Sequence, residues 1–410
     1  MATAELRERL REALHQPLRA GLPPRGESVT EQTDLSSLGG RWFSSLEGPG
    51  YLIESVYEAG HSHGNVVLHR ALSLDTARLA PQCRDERLGA CAASDLLYVD
   101  TETTGLGGAG AMVFLAGVAR FEGSLLKLRQ YLLPGPQFEG GLLGGLASEL
   151  SGAAALVSYN GKSFDLPLLE SRYILSRARP TFRQLPHLDL LHPNRRLFKG
   201  EFDSHKLTHM ERELLEFERE QDCPSSEVPE RYFRFQRTGD PTHILPVLRH
   251  NAWDVLSLVA LAAHLAAVCD GPEFPLQAAR AAEYAGDLPA AIARYEVALR
   301  EEGMGRAQRL DALEKVAKAC ARLGRYDDAA GWWERLRAEP RARRLLPYVE
   351  LAKLLEHRLG DANRALGLVD ESITMIHRGL LPQGRPGSEA TLAALLHRRA
   401  RLESRTATRR

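Results

Sequence analysis

The chain has 410 residues, enough for two or three domains, and 44% of them are hydrophobic, enough for apolar cores. Its 53 basic residues balance 53 acidic ones, which excludes a polycationic nucleic-acid coat but not an enzyme that carries local charge at its site. Five scattered cysteines without a C-x-x-C pair argue against a zinc site or a disulfide framework and fit a reducing cytoplasm, and no run of about 18 apolar residues predicts a membrane span.

Residues 1–90 read as an N-terminal extension. It opens with a charged amphipathic helix (Glu5, Arg7, Glu8, Arg9, Arg11, Glu12) that does not have the form of a signal peptide. A Pro/Gly-rich linker, Gly21 to Gly26, follows. Strand-like pieces run from Tyr51 to Val56 and from Asn65 to Leu72, as an accessory segment that leads into the next sheet. His61, His63 and His69 lie there without any arranged Cys or acidic ligand, so they do not predict a metal site.

Residues 91–270 alternate between the two periodicities. Strands are predicted over 96–100, 111–121, 124–133, 153–159 and 187–191, with helices over 139–150, 163–177 and 244–268. Three consecutive strands followed by alternation give a mixed sheet flanked by helices, an α/β class.

Three acidic motifs sit on these elements. Asp100 and Glu102 are two apart at the end of a strand, so their carboxylates share a face. Crowded carboxylates of this kind suit Mg²⁺ or Mn²⁺, although a solvated acidic strand end has the same pattern. Asp165 closes Asn160-Gly161-Lys162-Ser163-Phe164-Asp165, a turn in which Ser163 can cap the following helix; an acidic residue there is also favoured by the helix dipole alone. His250 and Asp254 lie one helical turn apart, ahead of a strongly apolar run, as a partly buried pair or a surface pair. Asp189 is a fifth carboxylate, read as structural or as support for the site. Arg195, Arg196 and Lys199 form a basic loop open to substrate phosphates or to solvent.

Residues 271–404 are helical and repetitive. Gly286, Gly324 and Gly360 stand 38 and then 36 residues apart. Each is followed at fixed offsets by a small residue (Ala291, Ala329, Ala365) and a large one (Tyr295, Trp333, Val369). Three helical pairs and a capping helix near 388–404 are expected, then a basic tail over 405–410. From 271 to the end, 25 basic residues face 19 acidic ones. Such repeats commonly bind protein partners, and the positive excess also permits contact with nucleic acid.

Taken in order, D-x-E-T-T-G, N-x-x-x-F-D and the His-plus-Asp helix resemble the DEDD superfamily of 3′-to-5′ exonucleases, which have a ribonuclease-H-like fold. Val228 to Phe233, Arg237 to Asp240 and His250 to Leu258 resemble more narrowly the YprB-type ribonuclease-H-like proteins, which often carry tetratricopeptide repeats behind the nuclease domain. The resemblance implies an α/β ribonuclease-H-like domain followed by an all-α tetratricopeptide-like domain. It implies that Asp100, Glu102, Asp165 and Asp254 hold two divalent ions, Mg²⁺ or Mn²⁺, and that His250 is the general base. His250 stands at the spacing of the Tyr-type branch, one residue closer to the last Asp than in the His-type branch. Thr103, Thr104, Gly105 and Leu106, with Asn160, are expected near the terminal nucleotide. The partners implied are a DNA or RNA 3′ end and a protein on the repeats, with no membrane. A nuclease fold that binds without turnover is the alternative, and it would be expected to have lost at least one of these residues.

Overall fold

The computed structural model describes residues 35–105, 110–178, 182–340, 343–382 and 391–407. The predicted N-terminal helix and linker, Leu106 and the last three residues of the basic tail lie outside these.

A seven-stranded mixed sheet dominates the first part of the chain. Its strands are β1 (Arg41–Ser45), β2 (Gly48–Tyr57), β5 (Leu96–Thr103), β6 (Val113–Glu122), β7 (Leu125–Leu132), β8 (Ala155–Ser158) and β9 (His187–Asp189). Their spatial order is β1-β2-β7-β6-β5-β8-β9. A separate hairpin joins β3 (Ser62–His63) to β4 (Val66–Val67). Residues 41–57 thus extend the sheet through β2, which pairs antiparallel with β7. Strand β6 is apolar on both faces because it is the central strand, covered on both sides. Strands β5, β8 and β9 run parallel, so their carboxyl ends open at one edge of the sheet. Ligands of open α/β sheets collect at that edge.

Helices cover both faces. They are α1 (Thr76–Cys83), α2 (Glu139–Ser151), α3 (Asp165–Leu175), α4 (Leu191–Leu197), α5 (Leu207–Leu215), α6 (Val228–Thr238) and α7 (Leu245–Asp270). Side chains of β5 alternate between them: Leu96 and Tyr98 pack with α7, whereas Leu97 and Val99 pack with α2 and α3. Helix α7 is long and apolar enough to cross a membrane, but most of that stretch is buried in the protein. Val247 and Leu248 belong to one face of the sheet and Val255 to Val268 to the other, so α7 passes the sheet at the level of the site.

The expected strand over 65–72 is not formed. Only Val66–Val67 pair, and Leu68–Ser73 wind into a 3₁₀ turn that buries Leu68 and Ala71 on one side. The hairpin lies so close to α5 that a Cβ on Gly64, whose φ is +59°, would stand 1.9 Å from the Leu215 carbonyl oxygen. His63 is a core residue: its Nε2 is 2.7 Å from Ser257 Oγ, and its ring lies 3.9 Å from that of Phe217. Arg195 and Arg196, expected in a loop, are in the last turn of α4, where cations complement the helix dipole.

The remainder is helical: α8 (Pro275–Ala285), α9 (Leu288–Ala298), α10 (Arg306–Arg322), α11 (Tyr326–Ala338), α12 (Leu346–His357), α13 (Ala362–His377) and α14 (Leu392–Ala407). Gly286, Gly324 and Gly360 take left-handed φ of +84°, +75° and +71° between paired helices. Ala291, Ala329 and Ala365 are each 0% exposed where the helices cross. One continuous core runs from Leu276 to Leu402.

Burial depresses the basicity of three histidines: His63 to about 3, and His187 and His264 to about 4. Each stays neutral when folded and gains a proton near its ordinary value of 6.5 when unfolded. They therefore support the fold above about pH 6.5 and lose that support as pH falls toward 4. His63→Gln keeps a polar partner for Ser257 but removes the titration. The melting temperature of this variant should fall less between pH 7 and pH 5 than that of the parent; an unchanged difference would contradict this account of His63.

Candidate active site at the carboxyl end of strand β5

Asp100 and Glu102 occupy the last half of β5, and the register against β6 shifts between Glu102 and Thr103. Such bulges re-aim side chains beside active sites. Asp165 is the first residue of α3, and Thr101 Oγ1 donates to its Oδ1. Ser163 does not cap that helix; Phe164 holds the N-cap position without a side-chain bond. The turn is instead fixed by Asp189, which is 2% exposed and accepts from the backbone N–H groups of Asn160 (2.7 Å), Lys162 (3.1 Å) and Leu191 (3.2 Å). With three backbone donors satisfied, Asp189 braces the loop. Asn160 adopts φ +66°, a conformation that Asn tolerates better than most residues.

Helix α7 supplies three further side chains. Asn251 Nδ2 donates to Asp100 Oδ2 at 2.8 Å, and its Oδ1 accepts from Gln130 Nε2 at 2.9 Å. Gly117, opposite Asp100 on β6, makes room for this amide, since a Cβ there would lie 2.2 Å from Asn251 Oδ1. His250 Nε2 lies 3.4 Å from Asp254 Oδ2 and 3.8 Å from Glu102 Oε1. The ligand atoms of Glu102, His250 and Asp254 all fall within 4.8 Å of one another. On the other side of the ring, His250 Nδ1 is 2.7 Å from Asp222 Oδ1. Arg219 Nη1 also approaches Nδ1, at 3.2 Å, but two donors cannot share a bond. The shorter contact to a carboxylate puts the proton on Nδ1 and leaves the Nε2 lone pair facing Glu102 and Asp254.

Arg219 is the one cation seated among these acids in the described residues. Its side chain is 5% exposed. It forks onto Glu211, with Nε to Oε2 at 2.8 Å and Nη2 to Oε1 at 2.5 Å. It also reaches Asp222 at 3.3 Å and Asp254 Oδ1. Burial works against its charge, but Asp254 and Glu211 outweigh burial and hold the guanidinium above its ordinary range.

The other carboxylates lack such compensation. Burial pushes Asp100 and Glu102 well above the ordinary carboxylate range, and the charges of Asp254 and Asp165 push both further. Burial also raises Asp165, against the Thr101 hydrogen bond. A half-buried set of hard oxygen donors that resist ionising together, with an imidazole lone pair beside them, fits a divalent cation.

Thr103 Oγ1 donates to the Gly105 carbonyl at 2.9 Å, and Thr104 Oγ1 accepts from Met112 N–H at 2.9 Å. Both hydroxyls close the loop after β5. Open space surrounds the position where Gly105 lacks a Cβ. Sequence reading missed Asn251, Asp222, Arg219 and Glu211. Asn251 sat within a recognised motif, so proximity to His250 was its one signal. Arg219 and Asp222 lie in the charged run from Glu216 to Asp222, which has no spacing to single them out.

A family model described as the RNase_H superfamily matches residues 97–266, the segment that contains all these acids from Asp100 to Asp254. The Bacillus subtilis (strain 168) protein named "Uncharacterized protein YprB" is 34% identical over 296 residues, covering 68% of this chain and 70% of that protein. The sheet order, the acidic cluster and this similarity agree: the chain belongs to the ribonuclease-H superfamily, in the group that contains YprB.

Proposed function

We propose that this protein is a metal-dependent 3′-to-5′ exonuclease that hydrolyses phosphodiester bonds of DNA or RNA. The observation that carries the reading is the convergence of Glu102, His250 and Asp254, with Asp100 and Asp165 as their electrostatic neighbours. Asp100, Glu102, Asp165 and Asp254 would hold two Mg²⁺ or Mn²⁺ ions. When bound, these ions neutralise charge on the phosphate and make water more acidic. Asp222 keeps the His250 proton on Nδ1, so Nε2 is free to accept a proton from the attacking water. Asn251 and Thr101 orient the carboxylates of Asp100 and Asp165. Phe164, 54% exposed beside Asp165, offers a face on which a terminal base can stack. In this reading Asn160, Thr103, Thr104, Gly105 and Leu106 lie near the terminal nucleotide, with the Thr103 and Thr104 hydroxyls holding the loop after β5. The helical pairs serve as a tetratricopeptide-like module for a protein partner. Five free cysteines fit a cytoplasmic location.

A second reading, a nuclease fold that binds without turnover, draws on one observation: Arg219 already holds Asp254. Activity separates the two. Purified protein should shorten 3′ ends of labelled oligonucleotides with Mg²⁺ or Mn²⁺, and Asp100→Ala or Asp165→Ala should abolish hydrolysis without unfolding the protein. Full activity in either variant, or in excess EDTA, would rule the metal-dependent reading out.

Metal binding has its own signature. Asp100, Glu102 and Asp165 have raised proton affinity in the folded protein, so protons compete with a cation for them. Mg²⁺ or Mn²⁺ should therefore raise the melting temperature more at pH 8 than at pH 6. An equal rise at both would place the bound ion elsewhere.

Asp222→Asn tests the orientation of His250. An amide carries no charge and can turn its NH2 toward Nδ1, which favours the other tautomer, so this change should lower kcat roughly 10–100-fold with little change in the metal-induced rise in melting temperature. His250→Ala should cost about 10²–10⁴-fold. Losses below tenfold in both would assign activation of the water to another group.

A further inference from the structure

Where α8 and α10 meet the α/β domain, a cavity of ≈ 410 Å³ is lined mainly by cations. Four of them, Arg84, Arg196, Lys199 and Arg322, form no ion pair among the described residues. Their neighbours differ: Arg280 pairs with Glu201 at 3.0 Å and Lys315 with Glu283 at 3.0 Å. Tyr284 lines the cavity beside them. The Arg196 guanidinium lies 3.4 Å from the centre of its ring, and that of Arg84 lies 4.8 Å from it. Arg196 Nη2 bonds Gln82 Oε1 at 2.8 Å, but its Nε is buried without a partner. Burial lowers the basicity of Arg196, and the charge of Arg84 lowers it further, so the cations here crowd one another as the carboxylates do at the active site.

The pocket's two carboxylates, Glu283 and Asp311, lie against Lys315 (3.0 Å) and Arg280 (3.8 Å), so four cations are left without an anion of their own. Planar guanidinium groups match phosphate oxygens in pairs, and a phosphate would satisfy the Arg196 donor and relieve the repulsion from Arg84. The cavity is also linked to the active site by charge. Lys162, exposed in the loop that precedes Asp165, acts electrostatically on Cys83 and Asp85, the two neighbours of Arg84 in the chain. The loop that delivers Asp165 and the segment that carries Arg84 are thus within electrostatic reach of each other.

We propose that the seam pocket binds backbone phosphates of the nucleic-acid strand behind the end being cleaved, so that α8 and α10 form part of the substrate path. This rests on the nuclease reading above, and the experiment separates the two. Binding of a labelled single-stranded oligonucleotide to the full chain is measured by fluorescence anisotropy in EDTA over a salt series. The variant Arg84→Gln/Lys199→Gln/Arg322→Gln changes three exposed side chains. Kd should rise by roughly tenfold or more, and the slope of log affinity against log salt should shrink by about two. With Mg²⁺, hydrolysis of the long oligonucleotide should show a raised KM, whereas hydrolysis of a dinucleotide should be unchanged. Should the triple variant lose its cooperative melt, the single reversals Lys199→Glu and Arg322→Glu carry the same test.

Unchanged Kd and salt slope would overturn the proposal, as would a parent protein that binds no oligonucleotide. It would also fall if a poly-glutamate peptide bound as tightly and the same variants lost it, since the pocket would then be a protein-docking site. If oligonucleotide binding weakens as expected but neither parent nor variant hydrolyses any substrate, the pocket stands and the nuclease reading falls.

Discussion

Carboxylates crowded at the carboxyl end of β5 set the terms for the rest of the site. Two like charges about 4 Å apart repel by roughly 4 kcal/mol at a protein-like dielectric, while a hydrogen bond to a charged group returns about 1.5–3 kcal/mol. The hydrogen bonds from Asn251 to Asp100 and from Thr101 and the backbone to Asp165 can aim these groups but cannot stabilise them all as anions. Protonation or a bound cation must supply the difference, and the raised proton affinity of Asp100, Glu102 and Asp165 is that deficit in another form. The surrounding structure holds the carboxylates in place despite it. Asp189 fixes the loop that delivers Asp165, and Gly117 admits the amide that fixes Asp100.

Arg219 divides the site into two halves. Asp254, Asp222 and Glu211 share its guanidinium, so the α7 side of the site is partly compensated. Asp100 and Asp165 form no ion pair with it, and Glu102 feels its charge without one. Demand for a cation is therefore greatest on the β5 side. A buried arginine fork onto Glu211 is costly to disturb, because breaking it strands a charge on each partner. Asp254 is thus held between a fixed cation and His250, one oxygen turned to each.

The sequence made the strands, the long helix and the three acidic motifs legible because each has a local signature: period-two alternation, an apolar run, or a D-x-E pair. The turn glycines and small crossing residues of the repeats were legible for the same reason, through their recurrence. What stayed hidden depends on contacts between distant segments. Asp222 and Glu211 gain meaning through Arg219, and Arg219 looks like any residue of a charged run. The strand expected over 65–72 failed because Leu68 and Ala71 pack as a tight turn, a periodicity too short to distinguish in isolation. The Ser163 cap was displaced because the helix starts one residue later, after Phe164, and the Leu166 N–H that Ser163 would have capped bonds the Gly161 carbonyl at 3.0 Å.

The seam between the sheet and the helical pairs behaves as part of the core. Arg280, 6% exposed, donates to the Leu197 carbonyl at 2.6 Å and to Glu201 at 3.0 Å, and Gln277 donates to Glu201 at 2.8 Å. From the other side, Gln82 donates to the Ala281 carbonyl at 3.2 Å, and Ala281 packs into the α/β core. Separating α8 from α4 would break the bonds of Arg280 to Leu197 and Glu201 and of Gln277 to Glu201, leaving Arg280 with Asp311 alone, and would expose the apolar side chains packed around them. Rigid attachment matters for what lies at the seam. A cation cluster on a loose tether would contact a strand at no fixed distance from Asp100. One held by buried hydrogen bonds keeps its spacing from the active site, and a fixed spacing is what lets two domains contact a single strand at the same time.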